Sequence, residues 1–596
     1  MSEDLHRITP LHLTTSRSSR ASLSRMRSNQ SELTRIITGI RDDLQLDEAE
    51  REQYRERGDP EYILASQLDL VRTHTRPRST VDLESGKNNK EQGTEVIESI
   101  SEDEEIDDGP PLDKGIAWLM AFCGMLASFS TWGASAGFGV FLNFYLSDNT
   151  FPGTSEYDYA LVGGTVMCLA NMLSPFGALL YKMLGFKLVC LIGVFLQTAA
   201  YILASFATKF WQLYLTQGVV VGVSFVLIFI PMTLVLPTWF LERKATSMGI
   251  VVSGAGLGGL VFCLSINQVI EQTGDQRWAL RMVGFVTLFA SLIVVIILKP
   301  RNQKRTPLKE GLSPEFIKRN FKLVFDVSVF KNKGICLLAF WFAIALTGYT
   351  LMLFSLSSFA TSIGLTHQQG SVLTSVMNAA QTVGRPCMGL IADKVGRSNF
   401  TGILCLVNAI LLYAFWINAT SYGALIAFSV LIGLVIGVGS SMAQPLLADV
   451  LEDNLEKLPA GWSGVNFVVA PFCLVAEVIA LALVTGGYRP YLHTQIFAGT
   501  CFIACFILLL FIREFLVQRL LSRRLEASES RLNEIKGVAG YLKSEQTSES
   551  LEGEDRGDDD DNEEEEVLVD RMDRYNRLLQ GTATGFFLRV VYPIRI

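Results

Sequence analysis

The chain of 596 residues is 49% hydrophobic and 18% charged, with a formal net charge of -8. That mild average hides a sharp partition: the 399 residues 115–513 hold 38 of the 110 charged residues, and the 197 residues outside them hold the other 72. All ten cysteines fall inside the apolar part and none forms a Cys-x-x-Cys pair, which argues against a disulfide framework and against a zinc site.

Residues 1–112 come first in chain order. They are poor in aromatics and rich in Ser, Arg and acids, too polar to bury a core, and are expected to form a disordered cytosolic tail. The stretch Arg17-Ser18-Ser19-Arg20-Ala21-Ser22-Leu23-Ser24-Arg25 has basophilic kinase spacing, and Ser99-Ile100-Ser101-Glu102-Asp103-Glu104-Glu105 has acidophilic spacing. Two readings stand side by side: a regulatory tail that meets cytosolic kinases or adaptors, or a solvated tail whose arginines stay near anionic lipid. The opening is polar over about 110 residues instead of a basic, apolar, small-residue leader, so the first apolar helix is expected to act as its own insertion signal.

About twelve apolar segments follow, at residues 116–142, 160–181, 188–207, 211–236, 247–270, 280–299, 335–360, 371–392, 401–418, 422–447, 461–485 and 494–513. Each is long enough as a helix to cross a hydrocarbon core of roughly 30 Å. They are apolar nearly all round, whereas a soluble domain with so many buried helices needs amphipathic ones to cover it. An all-α protein embedded in a lipid bilayer is the reading that results. Alternate connections carry Lys182, Lys187, Arg243, Lys244, the basic loop 300–334, Lys394, Arg397 and Lys457, against only Lys209, Arg277 and Arg489 on the other side. The first side is therefore expected to be cytosolic, with both termini on it.

Loop 300–334 divides the segments into six and six, 113–299 and 335–515, and the halves carry related signals. The second segment ends Gly177-Ala178-Leu179-Leu180-Tyr181-Lys182-Met183-Leu184-Gly185, a degraded relative of Gly389-Leu390-Ile391-Ala392-Asp393-Lys394-Val395-Gly396-Arg397 after the eighth. Gly218 and Gly222 in the fourth match Gly433 and Gly437 in the tenth. A parallel repeat of two six-helix bundles is the economical architecture. Residues 516–596 are expected to form a cytosolic tail. In it Leu516, Leu520, Leu521, Leu525 and Leu532 recur among arginines as on a helix lying along a leaflet, followed by a solvated acid run over residues 558–566.

The Gly389 to Arg397 turn resembles the loop signature of the major facilitator superfamily. With Asp113-Lys114-Gly115-Ile116-Ala117-Trp118, with Trp239-Phe240-Leu241-Glu242-Arg243-Lys244-Ala245-Thr246-Ser247-Met248-Gly249-Ile250 and with Gly384-Arg385-Pro386, the chain resembles its monocarboxylate porter branch. Asn143-Phe144-Tyr145-Leu146-Ser147-Asp148-Asn149-Thr150-Phe151-Pro152-Gly153 is most similar to fungal members. The resemblance covers about residues 113–515. It implies the major facilitator fold of about twelve membrane helices, and secondary transport of a small-molecule substrate without a cofactor. Fungal members imply the plasma membrane first and the vacuolar membrane second. Two departures stand out. The lysine of mammalian-type first helices falls near Ala136, and the aspartate one turn before the eighth-helix arginine is Gln381; both belong to the branch's proton and carboxylate machinery.

Arg385 is the leading substrate-binding candidate. Inserting a guanidinium in an apolar segment costs roughly 2.5 to 3.5 kcal/mol on translocon scales, and its two parallel donors suit a carboxylate. The alternative is that it snorkels or pairs structurally. Asn378, Gln381 and Arg385, spaced three and four apart, share a helix face. Asn143 is a further candidate among the membrane amides Asn171, Gln197, Gln217, Asn267, Asn408, Gln444 and Asn466, most of which are expected to bond between helices while two or three line a cavity. Glu477, deep in the eleventh segment, is a proton-coupling candidate or a structural acid. Asp393, Gly396, Arg397 and Arg243 are expected to form a gate, because in the resembling family this aspartate meets the start of a neighbouring helix. With Tyr181 at the equivalent place in the first half, the lock should be asymmetric.

Ser253-Gly254-Ala255-Gly256-Leu257-Gly258-Gly259 is dinucleotide-like in spacing but lies in a membrane helix without a preceding strand, so it reads as a packing face. No His, Cys or carboxylate cluster has metal or nucleophile spacing, and the basic loop lacks the interleaved aromatics of a nucleic-acid binder. The leading function is transport of a small, monocarboxylate-like organic anion by alternating access, with proton coupling open. A facilitator of a neutral or vitamin-like solute and a non-transporting sensor or scaffold with a carrier fold are the alternatives.

Overall fold

The computed structural model describes residue 43 and residues 110–148, 150–301, 308–451, 456–485, 489–546 and 558–592. They belong to two compact units, one spanning Gln53–Leu516 and the other combining Met1–Glu52 with Val517–Ile594.

In the first unit the helices run α1 (Ile116–Leu142), α2 (the bent pair Glu156–Met172 and Ser174–Leu184), α3 (Phe186–Ala204), α4 (Phe210–Thr238), α5 (Lys244–Thr273) and α6 (Gln276–Ile297). The second half continues with α7 (Lys333–Ser362), α8 (His367–Val395), α9 (Arg397–Asn418), α10 (Tyr422–Val450), α11 (Leu458–Ala482) and α12 (Leu492–Gln546). Among the described residues, ten of these are long and apolar enough alone to cross a membrane, and α2, bent by 51°, makes eleven. The remaining one, α8, is 29 residues long, ample to span at 1.5 Å per residue. Its Gln, Asn, Thr and Arg side chains lower its apolarity, and those that matter are turned inward.

Corresponding helices of the halves pack alike. A Cβ on Gly222 of α4 would meet the Val166 carbonyl of α2 at 3.2 Å, and one on Gly433 of α10 would meet the Met377 carbonyl of α8 at 2.6 Å. The turns after α2 and α8 both pass through a glycine at positive φ, Gly185 at 77° and Gly396 at 107°, a conformation in which a side chain is strained. The glycine run of α5 serves two neighbours: Gly254 and Gly258 close on α1 at Met125 and Gly133, while Gly249 and Gly256 close on α8 at Arg385 and Asn378. The halves therefore meet along two seams, α5 against α8 and α2 against α11.

The connection between the halves is not an open loop. It contains the helix Pro314–Val324, started by Ser313 accepting from the Phe316 N–H, and Phe325 beyond it stacks edge-on against Phe176 of α2.

The C-terminal tail departs from its expectation. Instead of a leaflet-bound helix, the second unit holds the extension of α12 with α13 (Asp558–Leu579) and α14 (Ala583–Val591). Leu521 and Leu532 are buried, and Leu532 packs with Leu568 and Met572 of α13. At Leu532 the leucine stripe is covered by protein because a second amphipathic helix offers it an apolar face. The acid run opens α13, where negative charge complements the helix dipole, and Glu565 pairs with Lys536 at 3.2 Å. Asp43 is buried in this unit and accepts from Arg574 at 3.0 Å, Tyr575 at 2.7 Å and Tyr592. Burial first and the Asp43 charge second push the Tyr575 phenol up to about 12, and the same causes push Tyr592 up, so both stay donors. The remaining N-terminal residues, including both kinase-type stretches, lie outside the described residues.

Candidate functional site

A cavity of about 120 Å³ lies between the halves and is lined from both, larger than one water needs. Its walls are largely apolar and include six aromatics, Trp132 and Phe229 from the first half and Phe342, Tyr349, Phe354 and Trp462 from the second. The amides Asn171, Asn378 and Asn466 and the guanidinium of Arg385 supply most of its polarity. None of the aromatics stood out in the sequence, since an aromatic residue in a membrane helix is ordinary and only the fold reveals which six converge.

Arg385 does not snorkel. It is 3% exposed, two turns inside Asp393 on the unbroken helix α8. Nη1 donates to the Val252 carbonyl of α5, across the seam, and Nη2 donates to Gln381 Oε1 at 2.6 Å. No carboxylate among the described residues bonds or pairs with it, and Nε has no partner. Gln381 is fully buried and does not line the cavity. It also accepts from the Tyr349 hydroxyl at 3.4 Å and donates to Asn378 Oδ1 at 3.3 Å. Its place is behind the arginine, where it orients both neighbours. Ala136 does line the cavity, so the cation missing from the first helix would have faced this space.

Three polar atoms of lining residues are buried without a partner: Asn378 Nδ2, Arg385 Nε and Trp462 Nε1. All three are hydrogen-bond donors. Most other amides of the membrane helices are occupied elsewhere. Gln197 donates to the Ser130 carbonyl at 2.6 Å, Asn408 to the Leu404 and Val435 carbonyls, and Gln444 of α10 to the Thr233 carbonyl of α4 at 2.5 Å. Asn143 lies just past the end of α1, in the helix Phe138–Ser147 that overlaps it; its side chain is outside the described residues.

At one end of the bundles Asp393 reaches across to the start of α5. Its carboxylate accepts from the Ala245 and Thr246 N–H groups at 3.2 and 2.8 Å and from the Thr246 hydroxyl at 2.7 Å, a favourable place for negative charge. Arg397 braces it, bonding Asp393 at 3.0 Å, Asp449 at 2.5 Å and the Glu242 carbonyl at 3.0 Å. Gly396 makes the turn that separates the two. Arg243 is exposed and stands aside: its guanidinium lies 5.8 Å from the Trp118 ring, while its backbone N–H donates to Asp113 and its carbonyl accepts from the Ser247 N–H. The equivalent turn of the first half has Tyr181 and no acid, and there α2 meets α11 through Ser174 donating to the Ser463 carbonyl at 3.3 Å. Glu477 of α11 lies farther from this end, 4% exposed and with Oε2 unpartnered.

Residues 118–360 and 338–539 match the Major Facilitator Superfamily. The chain belongs to the major facilitator superfamily. Among relatives of this superfamily member, "Uncharacterized transporter ESBP6" of Saccharomyces cerevisiae is 42% identical over 488 residues, 82% of this chain and 70% of that protein. "Probable transporter MCH2" of the same yeast is 34% identical over 413 residues, 68% and 84% of the two chains. "MFS-type transporter pynF" of Aspergillus niger is 29% identical over 341 residues, 57% and 75%. The superfamily member is a multi-pass membrane transporter of fungal type, not an enzyme.

Proposed function

We propose that the protein carries a small organic anion of the monocarboxylate kind across its membrane, by rocking of the two halves about the central cavity. The observation that carries this reading is that the buried unpartnered polar atoms of the cavity-lining residues are all donors. A buried guanidinium without a carboxylate partner is costly, and the three unpartnered groups around it can only donate. A carboxylate ligand supplies the missing charge and acceptors together. The apolar walls suit the organic part of such a solute. Among these residues Arg385 and Asn378 bind, and Gln381 positions. Asp393, Gly396 and Arg397 gate, with Arg243 at their margin.

The burial of Asp43 among Arg574, Tyr575 and Tyr592 supports terminal segments that share one face of the membrane, and the basic loops favour the cytosol for it. The plasma membrane is the proposed site. The test is uptake into cells or liposomes, over a panel of carboxylates and neutral analogues, by variants matched for surface delivery. Arg385→Gln should lower uptake at least about tenfold, the loss of a charge-assisted pair worth roughly 1.4 kcal/mol or more. Arg385→Lys should fail nearly as badly, since a point ammonium lacks the planar fork. Full activity of the glutamine variant would overturn the anion reading in favour of a neutral solute.

A further inference from the structure

The seam between α2 and α11 is tight. A Cβ on Gly164 would lie 2.8 Å from the Leu474 carbonyl oxygen, and one on Gly163 would lie 3.2 Å from Glu477 Oε2 and 3.4 Å from the Phe138 ring. Ala476 and Ala480, beside the acid on α11, pack on Leu351 of α7. One turn toward the cavity, Cys473 lines it and faces the Asn171 amide at 3.9 Å. Glu477 thus sits one turn beyond the cavity wall at Cys473, where the two halves close on each other.

No group of these elements compensates its charge. The charged side chains of α2 stand at its ends, Glu156 and Asp158 at one and Lys182 at the other. Among the phenols of the packed elements, Tyr145 past α1 is engaged with Gln217, Tyr159 of α2 with Thr154, and Tyr349 of α7 with Gln381, while Tyr157 of α2 is exposed and Tyr181 stands beside Lys182 at its other end. The thiols of Cys168 and Cys473 are the other titratable groups near this level. No cation, acid, hydroxyl or amide among the described residues bonds Glu477, although it is 4% exposed.

An ionised carboxylate left unpaired in such a place costs several kcal/mol, whereas the neutral acid costs far less. The closed seam is therefore compatible with the protonated acid and not with the anion. We propose that Glu477 is a proton-binding site whose occupancy licenses closure of the α2–α11 seam, so that the far end of the cavity shuts only with a proton aboard. The proton comes from hydronium in the solution that wets the opened seam. It forms one O–H bond on the carboxylate and leaves water behind, with no other bond changed. The inference concerns closure and holds for any solute in the cavity, so it stands or falls apart from the role of Arg385.

The test is the distance between spin labels at Glu156→Cys and Thr485→Cys, at the far ends of α2 and α11, in the full chain reconstituted in liposomes, with the exposed thiol removed as Cys387→Ser. Between about pH 9 and about pH 5, the range that brackets buried and exposed glutamates, the otherwise natural chain should pass from mainly long to mainly short distances. Glu477→Gln, which mimics the bound proton, should give the short distance at every pH. Glu477→Asp, which still titrates, should retain a pH response and guards against a glutamine variant that fails to fold. A pH-independent distance in the natural chain, or a natural pH response in Glu477→Gln, would overturn the proposal.

Discussion

The two seams between the halves use the same packing device and differ in their chemistry. Along α5 and α8, glycines let the backbones touch, and every charged group that crosses has a partner: Arg385 on the Val252 carbonyl, Asp393 on the Ala245 and Thr246 amides, Arg397 on the Glu242 carbonyl. Along α2 and α11, Gly163 and Gly164 allow an equally close approach, but the polar crossings are the neutral contacts of Asn171 and Ser174. Glu477, buried between them, has no partner among the described residues. A carboxylate at a helix start needs its negative charge to hold, whereas a bare carboxylate in an apolar seam must lose it. One acid locks as an anion and the other closes as an acid, and a carrier with both can answer to protons at one end without loosening the other.

Steric variants should break the comparison most severely. Leucine at Gly389 would collide with the Ala245 backbone, and leucine at Gly164 with the Leu474 carbonyl, and neither backbone can yield cheaply. Each should abolish uptake in protein that still reaches the membrane, and the spin-label distance across α2 and α11 should lengthen only for Gly164→Leu. Lengthening in both would mean that the seams do not close separately.

Charge removal should be milder. Asp393→Asn keeps an acceptor but loses the charge, and hydrogen bonds to charged groups are worth about 1.5–3 kcal/mol. The latch should open roughly tenfold or more, read as faster labelling of a cysteine placed at Ala245 from the cytosolic side, while the pH response at Glu477 persists. Unchanged labelling would remove Asp393 from the gate.

The smallest effect on either seam is expected from Asp43→Asn. This substitution should make the unit of α13 and α14 more sensitive to protease, since a buried anion with three donors is lost. Uptake and both seam readouts should stay as in the natural chain; a change in the α2–α11 distance would show that the terminal unit acts on transport.

The sequence by itself determined the membrane class, the division into two related halves and the residues that stand out against an apolar background. Hydrophobic length and charge placement are local quantities, so Arg385, Glu477 and the Asp393 turn were legible without coordinates. The partners of these residues were not legible. Whether Arg385 snorkels or binds depends on Val252, 133 residues away, and whether Gln381 lines the cavity or stands behind it depends on the rotation of α8. The leucine stripe after Leu516 looks the same on a leaflet as against α13, because amphipathicity names a face and not what covers it. The lack of any partner for Glu477, and the exclusively donating unpartnered groups of the cavity, exist only as sums over several helices. Tertiary structure decided them, because the energy of a buried polar group depends on everything within hydrogen-bond reach and the chain brings those neighbours from both halves.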